Sequence, residues 1–131
     1  MLRVESTLDD ETEAFITQII GCCIAVHREL GPGLLESIYR RAVCIEFEAA
    51  GIPFEKEKSI PVTYREQLLC YQYLDIVVAN KVIIEIKAVE RIAPVHQAQV
   101  MCYPRVSRIR AALLINFNAA LLADGVKRVV L

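Results

Sequence analysis

Three ionisable side chains lie inside stretches of sequence that are otherwise built for burial. The segment runs Asp75-Ile-Val-Val-Ala-Asn-Lys-Val-Ile-Ile-Glu85-Ile-Lys87, and Asp75, Glu85 and Lys87 fall within its apolar runs. An unpaired buried charge is costly, so each of the three requires a partner, a metal ion or a solvent-filled cleft. Two neighbouring carboxylates repel one another. A divalent cation removes that conflict, and oxygen donors suit magnesium or manganese.

Whether these groups can meet depends on the strands that carry them. Side chains alternate across a strand, so Glu85 and Lys87 share a face. Asp75 joins that face only through an odd-numbered connection. Ala79-Asn80-Lys81 supplies one, with Asn80 in the left-handed region that asparagine tolerates, and sets Asp75 opposite Glu85. A two-residue turn at Ala79-Asn80 would send Asp75 to the other face.

The rest of the chain supplies the frame. Phe15, Ile19, Cys22, Cys23, Val26 and Leu30 recur at helical spacing from about Thr12, and Gly31-Pro32-Gly33 stops that helix. A second helix is predicted from Leu34 to Ala50, with Leu35, Ile38, Ala42, Ile45 and Ala49 as its apolar stripe. Strand patterns follow at 54–64 and 67–78. Residues 81–88 form a nearly all-apolar third strand, which reads as central and covered on both faces. A short helix is predicted over Pro94–Tyr103, ending there because Pro104 disfavours helical geometry in the residue before it. A buried strand at 111–117 and a last short one at 126–131 complete the order ααβββαββ. Residues 1–10 are read as a flexible N-terminus and 11–131 as one domain.

Composition narrows the classes. The chain has 131 residues, of which 55% are apolar and 24% charged, which excludes a disordered chain. No run approaches the ~20 apolar residues of a membrane span. Five cysteines without a C-x-x-C pair, and no visible secretory signal, predict a reduced, cytoplasmic protein without a zinc site. Cys22, Cys23, Cys44 and Cys102 lie in apolar stretches and read as small hydrophobes. Residues 1–80 carry 7 basic and 13 acidic side chains, whereas residues 81–131 carry 8 basic and 3 acidic ones. Such a molecule can offer a polyanion one basic face.

Taken with Val26-His27-Arg28-Glu29-Leu30-Gly31-Pro32-Gly33-Leu34-Leu35-Glu36-Ser37-Ile38-Tyr39, Leu74-Asp75, Val82–Glu90, Gln99–Tyr103 and Leu114–Phe117, the chain resembles the GxxExxY family, a branch of the PD-(D/E)XK nuclease superfamily. The resemblance spans about residues 14–131. It implies an α/β, restriction-endonuclease-like core, a mixed central sheet flanked by helices, which the order ααβββαββ fits. It also implies that Asp75 and Glu85 bind the metal with the backbone carbonyl of Ile86, and that Lys87 is the catalytic lysine, orienting or activating water and stabilising developing charge. Glu36 resembles the helical glutamate that completes the metal site, and Gln99 and Tyr103 resemble a Q-x-x-x-Y element on one helix face. Tyr73 stands where the family often has a basic residue. His27 reads as a capping or packing residue and His96 as a surface one. Asn116 reads either as a cleft-bordering residue or as a turn asparagine.

The function that follows is hydrolysis of phosphodiester bonds in DNA or RNA with Mg2+ or Mn2+, the basic C-terminal half lining the approach path. The alternative is a catalytically silent nuclease fold that binds nucleic acid or a partner protein. A homodimer is compatible with both, and the small size leaves targeting to a partner.

Overall fold

The computed structural model describes residues 7–130. Two helices, α1 (Asp10–Leu30) and α2 (Glu36–Ala49), precede three strands, β1 (Phe54–Tyr64), β2 (Gln67–Val78) and β3 (Val82–Lys87). Then come α3 (Pro94–Ser107), β4 (Ala111–Asn116), a 3-10 turn (Leu122–Gly125) and β5 (Val126–Val130). The order is the one read from the sequence, with the 3-10 turn in addition. The first helix starts at Asp10 because the Asp9 carboxylate accepts the Thr12 N–H at 2.7 Å. Asp9 and Asp10 therefore belong to the helix start, while residues 1–6 of the expected flexible segment lie outside the described residues.

The five strands form one sheet in the order β1-β2-β3-β4-β5. The first three pair antiparallel, β3 and β4 run parallel, and β4 and β5 are antiparallel. The parallel pair needs a crossover, which α3 provides. One face of the sheet, including Val82, Ile84 and Ile86, packs on α1 and α2. The other, including Ile83, Ala112 and Leu114, packs on Val100 and Tyr103 of α3. The middle strand β3 is thus covered on both sides, which explains its apolar composition. Among the described residues, no helix is long and apolar enough to cross a membrane.

Two helices depart from expectation. On α2 the buried residues are Tyr39, Val43, Cys44 and Phe47. The stripe chosen by periodicity faces outward: Leu35, Ile38 and Ile45 are 71%, 41% and 65% exposed. The helix carries two apolar faces, and the one with the larger aromatic side chains takes the core. In α3, Pro104 does not end the helix, which continues to Ser107. A proline in the last turn forfeits only its own N–H bond. The turn is tied down by the Ser107 hydroxyl donating to the Tyr103 carbonyl (2.6 Å) and the Arg108 N–H to that of Pro104 (3.0 Å). Cys102 is exposed rather than a core hydrophobe.

The β2–β3 connection is the three-residue Ala79-Asn80-Lys81, pairing Val78 with Val82. Both Ala79 (φ 51°) and Asn80 (φ 54°) are left-handed, not Asn80 alone. Beyond Ile76, β2 no longer pairs with β3 but stays bonded to β1 as far as Gln67. The hairpin therefore continues as a two-stranded ribbon. Ile60 and Leu74 rest one side of it on the α3 layer, while Tyr71 and Tyr73 stay exposed.

Candidate active site

Asp75 stands where β2 parts from β3. Continuing the register one step beyond the Ile76–Ile84 pair would set its backbone opposite Glu85. Instead its carboxylate fills the gap between the strands, Oδ2 accepting the Ile86 N–H at 3.0 Å. Its neighbours record the break in alternation: Leu74 belongs to the α3 side and Ile76 to the α1/α2 side. Its other oxygen, Oδ1, lies 3.6 Å from Arg40 Nη2. That same nitrogen is 3.0 Å from Glu36 Oε1, one turn earlier on α2. Arg40 thus bridges two of the carboxylates that sequence reasoning assigned to a metal, and it was not singled out. The signal was present, because glutamate four residues before arginine is a favoured helical pair.

Glu85 sits between Ile84 and Ile86, which face α1 and α2. It is therefore directed to the α3 side together with Lys87, whose Nζ is 3.7 Å from Glu85 Oε1. The common face expected for Asp75, Glu85 and Lys87 is replaced by an arrangement across the sheet edge, with Asp75 in the plane and the other two on one side. Glu85 is only 6% exposed, and its Oε2 is buried without a hydrogen-bond partner. Burial, then the charge of Asp75, pushes its pKa up to about 7 against the opposing pull of Lys87, and Glu36 adds to the rise. The Tyr103 hydroxyl is pushed up to about 12 by burial and then by the charges of Glu85 and Asp75. One electrostatic neighbourhood therefore holds Asp75, Glu85, Lys87, Glu36 and Tyr103. Gln99 is exposed on α3.

Several residues hold this arrangement in place. Gly33 adopts φ 101°, a conformation that suits glycine, in the turn between α1 and α2. Tyr39 pins that turn: its hydroxyl donates to the Gly31 carbonyl at 2.5 Å and accepts the Leu34 N–H at 3.1 Å, while its ring stacks on Phe117 at 4.7 Å. His27 Nε2 meets the Ala119 carbonyl at 2.8 Å, a tie from the last turn of α1 to the loop after β4. Buried Asn116 accepts from the Val89 and Asn118 N–H groups and donates to the Val89 carbonyl, fastening the segment after β3. His96 is half-buried rather than a surface residue. Its Nδ1 accepts the Ala93 N–H at the start of α3.

Two cations of the basic C-terminal half turn back to the N-terminal helix. Lys81 pairs with Asp9 (3.4 Å) and Glu11 (3.7 Å), and Arg128 with Glu13, so these cations neutralise the first turn of α1. Closer to Asp75, a groove of about 440 Å3 between α2 and β1 is lined by Arg40, Arg41 and Lys56 together with Glu48 and Glu57.

A family model describing the PD-(D/E)XK nuclease superfamily matches residues 13–129. The chain belongs to the PD-(D/E)XK nuclease superfamily. No curated protein and no solved structure matches it. The mixed five-stranded sheet between helices is the superfamily's restriction-endonuclease-like architecture. PD-(D/E)XK nucleases generally use divalent metals. Among the described residues, no three His, Cys, Asp or Glu side chains gather as a ready cage. A small hard cation that keeps much of its water needs only one or two carboxylates, however. The partnerless buried Oε2 of Glu85, with Asp75 beside it, fits that requirement.

Proposed function

We propose that the chain is a divalent-metal-dependent nuclease hydrolysing phosphodiester bonds in DNA or RNA, of the GxxExxY type. The observation that carries this reading is Glu85: a buried carboxylate oxygen with no partner, beside a second carboxylate and a lysine. Asp75 and Glu85 would hold Mg2+ or Mn2+, with the Ile86 carbonyl as a further donor. When bound, the cation supplies Lewis acidity toward a phosphate oxygen and acidifies water. Glu36 stays outside the ligand set while Arg40 binds it.

Lys87 holds its ammonium beside Glu85, where it orients a water and stabilises charge developing on the phosphate. The Ile86 N–H fixes the orientation of the Asp75 carboxylate beside Glu85. Tyr103 walls the α3 side and keeps water out. Arg41 and Lys56 give phosphates a path along α2. Exposed Tyr73, two residues before Asp75, offers a ring on which an unpaired base can stack.

A second reading, a silent nuclease fold that binds nucleic acid or a partner protein, is favoured by Arg40, which already neutralises Asp75 and Glu36. The two separate in a cleavage assay with Mn2+ on single- and double-stranded DNA and RNA. Cleavage by the wild type that Lys87→Ala and Glu85→Gln both abolish supports the nuclease. Salt-sensitive binding without turnover supports the silent module.

A further inference from the structure

The outward stripe of α2 is the largest disagreement between periodicity and burial in the chain. Leu35, Ile38, Ala42, Ile45 and Ala49 are spaced 3-4-3-4, the heptad seam of helices that pack on other helices. Within one copy its large side chains stay outside the core, although Ala42 packs against its rim: Leu35 and Ile45 are more than half exposed and Ile38 is 41% exposed. Leu30 and Leu34, at the end of α1 and the following turn, extend the patch at 37% and 38%. A shallow groove of about 150 Å3 between α1 and α2, lined by Ala25, Leu30, Ala42 and Ile45, runs beside it.

We propose that this seam is the interface of a homodimer, in which α2 packs antiparallel on the α2 of a second copy across a two-fold axis near Ala42. Within the helix the 4-3-4 spacing of Ile38, Ala42, Ile45 and Ala49 is self-complementary in that direction. Ile38 meets the second copy's Ala49 and Ala42 meets its Ile45, so a large side chain falls against a small one in each layer. Such an isologous contact closes on itself and leaves no sticky remainder. The apolar surface of the five large residues is roughly 400–500 Å2 per copy. That matches the apolar share of a standard interface, which buries about 800 Å2 on each partner, a little over half of it apolar. A patch of that size is comparable to the largest apolar patch of a typical soluble domain, which is often functional. The stripe lies away from Glu36 and Arg40, the residues by which α2 reaches the site, while Ile45 also borders the groove that carries Arg41 and Lys56, so the dimer holds the helix and flanks that groove.

Analytical ultracentrifugation of the full chain tests this. The wild type sediments at twice 14.7 kDa in the presence of a chelator as well as with Mn2+. Ile45→Glu, which places a charge in the seam of each copy, weakens the dimer by at least about 100-fold and yields a monomer with unchanged far-UV circular dichroism. Ile38→Ser gives the same shift more mildly and guards against a folding defect in the first variant. Leu69→Glu, on the exposed ribbon, leaves the mass unchanged. A folded wild-type monomer at 100-fold dilution and at high concentration alike would overturn the proposal. So would an Ile45→Glu dimer as tight as the wild type, or a dimer that Leu69→Glu rather than Ile45→Glu dissolves.

Discussion

Glu85 carries the chemical conflict on which the site turns. Its raised pKa of about 7, against the ordinary 4.5, means that the folded protein prefers it protonated. Its contribution to stability is therefore fully present below pH 4.5 and is lost as the pH climbs through about 7. Glu85→Gln removes the titration and keeps the shape. In metal-free buffer the variant should be the more stable protein at pH 8, by on the order of 2–3 kcal/mol, and close to the wild type at pH 4.5. Urea unfolding at the two pH values checks this; an equal gap at both would mean that Glu85 is not strained. The triad was legible at this scale because charge inside apolar strands is conspicuous. Arg40 was less so: on a helix, a charged residue facing solvent and one reaching a buried carboxylate look alike in sequence. The different depths of exposed Gln99 and buried Tyr103 were not legible, since a four-residue spacing aligns two residues on a helix without saying how deep either one lies.

Among the elements, strand parity proved the more faithful guide. The three-residue Ala79–Lys81 connection follows from the need to bring Asp75 to Glu85, and the pairing has it. What alternation could not foresee is that β2 leaves the ladder at Asp75 and its carboxylate takes over a backbone partner. Helix ends and faces were harder to read. The proline rule placed the end of α3 at Tyr103, but side-chain and backbone bonds in the next turn carry it to Ser107, with Arg108 left-handed at φ 64° as its cap. Replacing Arg108 with glycine relieves that conformation and should stabilise the fold by about 1 kcal/mol, read from the urea midpoint. Asn116→Ala tests the opposite kind of element end. It strips the bonds to Val89 and Asn118 from buried surroundings and should cost about 2–3 kcal/mol, with faster hydrogen exchange confined at first to residues 88–93. Unchanged exchange there would mean that the segment is held by its packing alone.

For the whole molecule, composition excluded a disordered chain, and the order of helices and strands fits the mixed sheet between helices. The charge balance of the two halves says less than it promised, because a linear count ignores folding: Lys81 and Arg128 of the second half close back on the acidic first turn of α1. The amphipathic signal of α2 misled in a related way, as its periodic apolar stripe turns away from the core. The folded molecule brings Asp75 from the parting strands, Glu85 and Lys87 from the central strand and Glu36 from the second helix into one electrostatic neighbourhood. The most direct test of its purpose is Mn2+ titration followed by the paramagnetic resonance of the free ion at pH 8. The wild type and Lys87→Ala should each take up one ion per chain, while Glu85→Gln and Asp75→Asn lose that uptake. A wild type that binds no Mn2+, or a Glu85→Gln variant that binds it as the wild type does, would contradict a metal centre at this place.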